Sequence, residues 1–224
     1  MAHDENKAFL RRMPIFVGIG ESQLEMLAAG SVRRSFPRGR SIVAEGETSQ
    51  SFYLLLSGRA KVQRSDSEGK EVILAILGPG EFFGEMSLID DAPRSASVIT
   101  IEPCDFIAVN KESFKAMLAS STDMCLAIMR GIVRRLREAD KKIETLALMD
   151  VYGRVARVLL DFSETVGGER VVKGKLPRQE IAKMIGASRE MVSRVMKGLE
   201  VDGFIVPVSE GRLLLRDKIN LYLN

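Results

Sequence analysis

The 224-residue sequence predicts an α+β fold with three successive parts. Residues 32–109 consist of short β-prone runs separated by glycines, which is typical of a small antiparallel sandwich or barrel. A heptad pattern of apolar residues then predicts one long helix. The last part, residues 150–224, combines short helical segments with two short strands. Strands and helices are therefore largely segregated along the chain, as the α+β class requires.

Composition favours a well-cored binding protein over several other classes. Hydrophobic residues make up 46% of the chain and charged residues 28%, and no segment approaches the roughly 20 apolar residues of a membrane-spanning helix. The first residues, MAHDENKAFLRRMP, lack the apolar core of a secretion signal, so we expect a cytoplasmic protein without a membrane partner. Two isolated cysteines and one histidine support neither a disulfide framework nor a metal site, and no nucleophile–base pair indicates an enzyme.

The first half of the chain changes once from a helical to a β pattern. Residues 5–30 have helical spacing of apolar residues, interrupted at Pro14. The β-prone runs that follow are SIVAEG, FYLLLSG, RAKVQR, KEVILAILGPG, SASVIT and DFIAVN. The sequence DSEG at 66–69 separates two of these runs and predicts a hairpin turn with Gly69 at positive φ. Helical structure returns at residues 111–118.

A glycine-rich segment, GPGEFFGEMSLIDDAPRSASV at residues 78–98, interrupts the β pattern. Its three early glycines permit tight turns, and residues 85–88 fit one helical turn whose free amides favour an anion. Arg94 adds a fixed positive charge suited to phosphate, Ser95 adds a hydroxyl donor, and Glu85 is an acceptor suited to a sugar hydroxyl. Together these residues predict a ribose-phosphate ligand. The alternative is a glycine-rich β-corner with a solvated arginine.

The long helix carries an apolar seam with alternating steps of four and three residues. This spacing predicts a parallel homodimer, whereas a helix packed only on its own core would carry a broader stripe. Asp150 fits the N-cap of a further helix that ends near Gly167–Gly168, so Met149–Asp150 is the predicted hinge. The seam residues are Cys125, Met129, Ile132, Leu136, Ala139, Ile143 and Leu146.

Residues 179–199 predict a helix-turn-helix, in which the second helix lies in the DNA major groove. The second helix has an apolar face at helical spacing, Ala182 fits the crossing of the two helices, and Gly186 lies at the turn. Residues 204–208 and 212–216 read as two strands of a wing around SEG. Residues 150–224 carry 13 Lys and Arg against 10 Asp and Glu, a weakly basic balance. An ordinary helical hairpin is the alternative. The exposed face carries Arg189, Glu190, Ser193 and Arg194.

The order of these parts resembles the Crp/Fnr family of bacterial transcription regulators, and most closely its catabolite activator (cyclic AMP receptor) branch. The resemblance rests on the segments GEFFGEMSL…PRSAS, LALMDVYGRVARVLL and PRQEIAKMIGASREMVSRVMKGLE, in that order. It implies a cyclic-nucleotide-binding β-roll over residues 1–118, a dimerisation helix and hinge over 119–149, and a winged helix-turn-helix over 150–224.

The resemblance also implies roles for individual residues. Glu85 would bind the ribose 2′-hydroxyl, while Arg94, Ser95 and the Gly84–Glu85 backbone would hold the cyclic phosphate. The full set expected around the nucleotide is Gly84, Glu85, Met86, Ser87, Arg94, Ser95, Ala139 and Asp140. The set expected on DNA, of which Arg178 and Gln179 touch phosphates, is Arg178, Gln179, Ser188, Arg189, Glu190, Ser193 and Arg194.

The sequence departs from the family pattern at two places. Cyclic AMP receptors often carry a hydroxyl pair on the dimer helix facing the purine, where this chain has Ala139 and Asp140. Cyclic di-GMP or cyclic GMP is therefore an alternative to cyclic AMP, because a carboxylate can accept two hydrogen bonds from guanine; Asp140 as a solvated helix residue is another reading. Pro177 replaces a Ser or Thr cap, a change that the first turn of a helix tolerates.

We therefore expect a homodimeric transcription regulator gated by cyclic AMP that binds a palindromic, TGTGA-like site, with RNA polymerase as a further partner. A cyclic-nucleotide module that controls an enzyme or channel through protein contacts is the rival from another class. The base-reading face formed by Arg189, Glu190 and Arg194 argues against that rival. The N-terminal cysteine cluster of iron–sulfur sensors and the histidine of haem-binding members are both absent from the sequence.

Overall fold

The computed structural model describes residues 2–48, 50–172, 176–208 and 211–223. The chain divides into two compact units, of which the first ends at Arg135 and the second begins at Leu136. Helix α5, Thr122–Leu148, contributes to both units and confirms the predicted long helix. The three-part division at residues 118 and 149 remains a prediction, because the units meet inside this helix.

The N-terminal unit contains an antiparallel β-roll, which confirms the predicted fold class. Its first sheet has the strand order β1-β8-β3-β6 and its second the order β2-β7-β4-β5. Apolar residues of both sheets, including Tyr53, Phe83 and Val98, pack into one core between them. The strands are β1 Ser31–Phe36, β2 Ser41–Val43, β3 Ser51–Ser57, β4 Ala60–Ser65, β5 Glu71–Leu77, β6 Phe82–Phe83, β7 Ser97–Thr100 and β8 Cys104–Asn110.

Each predicted β run overlaps one of these strands, while β1 and β6 were not predicted. The β4–β5 hairpin turns at residues 66–69 with Gly69 at a φ of 80°, as its sequence predicts. The short β6 pairs only with Tyr53 and Leu54 of β3. Two residues are too few for an alternating apolar pattern, which is why the sequence did not reveal this strand.

Helices cover the first sheet of the N-terminal unit. They are α1 Ala2–Arg12, α2 Glu21–Ala29, the single turn α3 Met86–Ile89 and α4 Lys111–Ser120, with a 3-10 turn at Pro14–Phe16. Their buried side chains form a second core with Phe52, Leu54 and Ile107 of the sheet. The first part of α5 joins this core through Met124 and Ile128.

Within its described residues, the C-terminal unit holds the end of α5, three further α-helices and a four-stranded antiparallel sheet with the order β11-β12-β10-β9. The helices are α6 Val151–Asp161, α7 Arg178–Ile185 and α8 Arg189–Val201. The strands are β9 Ser163–Val166, β10 Glu169–Val172, β11 Ile205–Pro207 and β12 Leu213–Leu215, and a 3-10 helix spans Asp217–Leu223. Strands β11 and β12 confirm the predicted wing, whose turn residues Ser209 and Glu210 lie outside the described residues.

One prediction about this unit was wrong. Asp150 caps α6 as expected, since its Oδ1 accepts a hydrogen bond from the Gly153 amide at 2.8 Å. The helix ends at Asp161, however, and does not continue to Gly167–Gly168. The two glycines have φ angles of 61° and 86°, which suit a two-residue hairpin turn, so residues 163–166 fold back as β9 on β10.

No single helix in the described residues is long and apolar enough to cross a membrane. Helices α4 and α5 pass the same length and composition test only when taken together, and they are bent by 112° relative to each other.

Candidate functional site

The glycine-rich segment forms two tight turns around strand β6. Gly80 and Gly84 have positive φ angles of 86° and 90°, whereas the φ angle of Gly78 is not positive. Glu85 follows as the N-cap residue of α3. The helix itself spans residues 86–89, one position later than the predicted turn of 85–88. The turns therefore place the start of α3 immediately after the sheet edge, as the sequence predicts.

Arg94 is buried rather than solvated, which removes the alternative of a β-corner with a surface arginine. Its side chain is 5% exposed. Nη1 donates to the Ser87 hydroxyl at 3.1 Å, and Nη2 donates to the Ser51 carbonyl at 2.6 Å. Burial lowers the pKa of the Arg94 guanidinium, and the nearby Glu85 carboxylate counters that effect. An arginine remains charged under these conditions, so the segment carries a fixed buried cation.

Gly84 is required by the position of the arginine. A Cβ atom at position 84 would lie 2.2 Å from Arg94 Nη1 and 3.0 Å from its Cζ. The positive φ of Gly84 adds a second reason, because other residues rarely adopt it. The Arg94 guanidinium therefore lies against the backbone just before Glu85.

Glu85 is 1% exposed and is paired with a residue that sequence reasoning missed. Its Oε1 lies 2.7 Å from Arg135 Nη1 of α5, while its Oε2 has no hydrogen-bond partner among the described residues. Arg135 also donates to the Phe82 carbonyl and stacks 4.7 Å from the centroid of the Phe82 ring. Arg135 thus holds the Glu85 carboxylate through one oxygen and leaves the other available.

A sequence signal for Arg135 exists. The buried face of α5 contains Met124, Ile128 and Gly131, with steps of four and three residues. Arg135 is the next step of that stripe, so a charged residue falls where the pattern expects a buried one. A Cβ atom on Gly131 would lie 2.4 Å from Phe82 Cζ, so the helix approaches the ring closely at this point.

The remaining predicted nucleotide residues differ in burial. Ser87 is buried, and its hydroxyl donates to the Gly84 carbonyl at 3.4 Å. Ser95 is exposed, with its Oγ 4.0 Å from the Met86 sulfur, and Met86 is half exposed. Gly84, Glu85, Ser87 and Arg94 are therefore brought together, with Met86 and Ser95 at the edge. Ala139 and Asp140 are exposed on α5 within the second unit.

The two helices of the predicted helix-turn-helix are present with well-formed ends. Helix α7 ends at Ile185, and the C-cap residue Gly186 has a left-handed φ of 65°. The Ser188 hydroxyl accepts a hydrogen bond from the Met191 amide at 3.1 Å and so caps α8. Arg154 of α6 donates to the Ile185 carbonyl at 2.9 Å, which fixes the end of α7. Pro177 precedes α7 without a side-chain cap, as the sequence indicated.

Helix α8 separates an apolar buried face from a polar exposed one. Val192, Val195, Met196 and Leu199 are all buried, as the helical spacing predicts. The polar face consists of the exposed Arg189, Glu190 and Arg194 and the half-buried Ser193, while Ser188, Arg178 and Gln179 are exposed at the starts of the two helices.

The apolar seam of α5 lies at the surface of the single chain. Leu136, Ile143 and Leu146 are 61%, 65% and 52% exposed, and Met129 and Ile132 are 50% and 37% exposed. Cys125, the first predicted seam residue, is half-buried and its thiol donates to the Leu118 carbonyl at 3.1 Å. Exposed apolar residues at heptad spacing are uncommon unless another helix covers them.

Comparison with known proteins identifies the family. A model of the cyclic nucleotide-binding domain matches residues 33–121, and a model of the Crp-like helix-turn-helix domain matches residues 153–222. The CRP-like cAMP-activated global transcriptional regulator of Mycobacterium tuberculosis is 34% identical over 200 residues, covering 88% of this chain and 89% of that protein. The chain belongs to the Crp/Fnr family.

Two further Crp/Fnr relatives cover almost the whole chain. The cyclic AMP receptor protein of Thermus thermophilus is 33% identical, over 93% of this chain and 94% of that protein. The structure of the c-di-GMP responsive global regulator CLP of Xanthomonas campestris has a TM-score of 0.74 and 28% identity, covering 88% of this chain and 99% of that chain. This Crp/Fnr protein is therefore a cyclic-nucleotide-responsive transcription regulator that binds DNA through its helix-turn-helix.

Proposed function

We propose that cyclic AMP is the nucleotide that controls this regulator and that the active form is a homodimer on a palindromic DNA site. Two relatives at 33–34% identity have cyclic AMP in their names. They are the cAMP-activated regulator of Mycobacterium tuberculosis and the cyclic AMP receptor protein of Thermus thermophilus. The observation that carries the proposal is a buried arginine and a buried carboxylate beside the same glycine turn, with the Arg94 guanidinium against Gly84 and Glu85 next to it in the chain. A fixed cation suits the phosphate of a nucleotide, and a carboxylate beside it suits a ribose hydroxyl.

The phosphate of the nucleotide is assigned to Arg94, Ser95 and the backbone at Gly84–Glu85. A buried guanidinium forms strong charge-assisted hydrogen bonds with phosphate oxygens, and the exposed Ser95 hydroxyl can donate one more. The ribose 2′-hydroxyl is assigned to Glu85, whose Oε2 has no partner among the described residues. Arg135 supports this role because its contact with Oε1 orients the carboxylate.

DNA recognition is assigned to the exposed polar face of α8. Arginine binds guanine with two hydrogen bonds and glutamate accepts one from the amino group of cytosine, so Arg189, Glu190 and Arg194 suit a TGTGA-like half-site. Ser193 lies within the same helix, and Ser188 is its N-cap residue. Arg178 and Gln179 at the start of α7 suit phosphate contacts, which position the protein without reading sequence.

The homodimer is assigned to the exposed seam of α5. Leu136, Ile143 and Leu146 are each more than half exposed in the single chain, although apolar residues at heptad spacing normally face a partner helix. A two-fold dimer would also match a palindromic site, with half-sites about one helical turn apart. We further propose that RNA polymerase is a partner and that the protein acts in the cytoplasm.

Calorimetry with the full-length protein tests the ligand. Cyclic AMP should bind the wild type, and Arg94→Gln should bind it at least about tenfold more weakly, because charge-assisted hydrogen bonds contribute about 1.5–3 kcal/mol each. Arg38→Gln is the matched control, since Arg38 is exposed outside the segment. Stronger binding of cyclic GMP or cyclic di-GMP than of cyclic AMP would contradict the choice of nucleotide.

A further inference from the structure

Asp91 is the one non-glycine residue with positive φ among the described residues, at 56°. It lies three positions before Arg94, in the connection between α3 and β7. A left-handed backbone costs free energy for any residue with a Cβ atom, and Asp tolerates it better than most. Such a conformation persists where surrounding contacts hold it.

Two lysines of α4 hold the Asp91 carboxylate. Lys111 Nζ lies 2.6 Å from Asp91 Oδ1, and Lys115 Nζ lies 3.3 Å from both carboxylate oxygens. Lys111 and Lys115 are four residues apart, so they lie on one face of the helix. The pKa of Asp91 lies below its usual value, mainly because Lys111 donates a hydrogen bond to it.

The same helix start is tied to the partner of the buried arginine. The Lys111 amide donates to the Gln50 carbonyl at 2.9 Å, and the next carbonyl along the chain, that of Ser51, accepts a hydrogen bond from Arg94 Nη2 at 2.6 Å. The Arg94 amide also donates to the Glu47 carbonyl at 2.9 Å. Asp91 therefore closes a ring of contacts that runs from the loop through Lys111 and Ser51 back to Arg94.

We propose that Asp91, held by Lys111 and Lys115, is a positioning residue that fixes the loop carrying Arg94 and Ser95 for the nucleotide phosphate. The inference rests on the proposed binding of cyclic AMP by this loop. The Ser51 carbonyl fixes the Arg94 guanidinium by a hydrogen bond. The two lysines fix the loop before Arg94 by holding the Asp91 carboxylate. A phosphate-binding loop that is ordered before binding loses less entropy when the nucleotide arrives.

A double-mutant cycle on nucleotide affinity tests the coupling. Asp91→Asn keeps a residue that tolerates positive φ and removes the charge, and Lys111→Met with Lys115→Met removes the two donors. We expect Asp91→Asn to weaken cyclic AMP binding about 3- to 10-fold by calorimetry in the wild-type background. In the background without the two lysines, the same change should have almost no further effect.

The matched control is Glu25→Gln, which removes a carboxylate from a different lysine, Lys7, in the helices at the N-terminus. It should leave the nucleotide affinity unchanged. Loss of affinity for Asp91→Asn that is equally large without the two lysines would overturn the proposal. So would an Asp91→Asn variant that binds as tightly as the wild type.

Hydrogen exchange on the free protein separates this inference from the proposed function. Backbone amides of residues 90–96 should exchange faster in Asp91→Asn than in the wild type, and Glu25→Gln should not change them. If the wild type binds no cyclic AMP, the proposed ligand is wrong, and the exchange result alone decides whether Asp91 orders the loop. Unchanged exchange would overturn the inference whichever nucleotide binds.

Discussion

Gly84 and Arg94 depend on each other at the scale of single residues. In Gly84→Ala, the new methyl group would displace the guanidinium from a contact of 2.2 Å and strain a φ of 90°. We expect a loss of about 1–3 kcal/mol in the free energy of unfolding and at least tenfold weaker cyclic AMP binding, measured by urea unfolding and calorimetry. Gly39→Ala is the control. Its φ of 79° is similarly unfavourable for alanine, but the added Cβ atom would meet no atom within 4 Å. Equal nucleotide affinity in both variants would contradict the account.

Asp105 makes the stability of the β-roll depend on pH. Its pKa lies below the usual value, chiefly because the Ser35 hydroxyl donates to it and also because of Arg33. A carboxyl with a lowered folded-state pKa stabilises the fold above its unfolded-state pKa, and that contribution is lost as the pH falls through the lowered value. Asp105→Asn should therefore be less stable than the wild type at pH 7, with a smaller difference at pH 3. An undiminished difference in thermal unfolding at pH 3 would contradict this assignment.

Some residues of the candidate site could be predicted from the sequence, and others could not. Arg94 and Glu85 were found because their residue types suit a phosphate and a sugar hydroxyl. Arg135 was missed because a charged residue on a long amphipathic helix normally faces water. Its place on the buried stripe of α5 is a signal in the sequence, and the contact with Glu85 shows what the side chain holds. The lysine pair on Asp91 joins segments twenty and more residues apart, which no local pattern reports.

At the scale of elements, helix α5 carries the most direct prediction. Leu136→Asp would place a carboxylate in the seam, and burying that charge against a partner helix is costly. We expect light scattering to show a dimer for the wild type and a monomer for Leu136→Asp. Leu148→Asp is the matched control, because Leu148 is 79% exposed on the same helix but outside the heptad positions. A variant at Leu136 that remains dimeric would mean that the seam is wrongly assigned.

Secondary structure was predictable where the periodicity was long. The apolar pattern of α5 extends over several turns, and the β runs are bounded by glycines, so both were read correctly. Strand β9 was misread as the end of α6 because residues 162–166 continue an apolar helical spacing. The two glycines at positive φ, together with pairing to β10, decide the structure there.

At the scale of the whole molecule, the two classes of DNA contact should respond differently to substitution. Arg194→Ala should cost about 1–3 kcal/mol of binding free energy on the preferred site and relax the preference at one guanine. Arg178→Ala should weaken all sequences alike, because a phosphate contact carries no sequence information. Selection from a random DNA library with each variant measures both effects. An enriched site without a palindrome, or identical enrichment profiles for Arg194→Ala and wild type, would contradict the assignment.

The order of the parts was predictable for the whole chain, since the glycine-rich segment, the heptad helix and the helix-turn-helix each have a pattern of their own. The identity of the nucleotide was not predictable in the same way. Ala139 and Asp140 depart from the family pattern, and the proposed contacts to the base would depend on the tertiary and dimer arrangement. The residues proposed for the phosphate and the ribose, Glu85, Arg94 and Ser95, lie close together in the sequence, which is why the chain alone suggests them.

Cyclic AMP is expected to change the affinity of this protein for its DNA site. A nucleotide can do so only if it binds one conformation of the protein more tightly than another. The direct measurement is fluorescence anisotropy of a labelled palindromic TGTGA-type duplex, titrated with wild type and Arg94→Gln at fixed salt, with and without cyclic AMP. We predict that cyclic AMP tightens wild-type binding at least about tenfold and leaves Arg94→Gln nearly unchanged. Equal wild-type affinity with and without cyclic AMP would contradict the account.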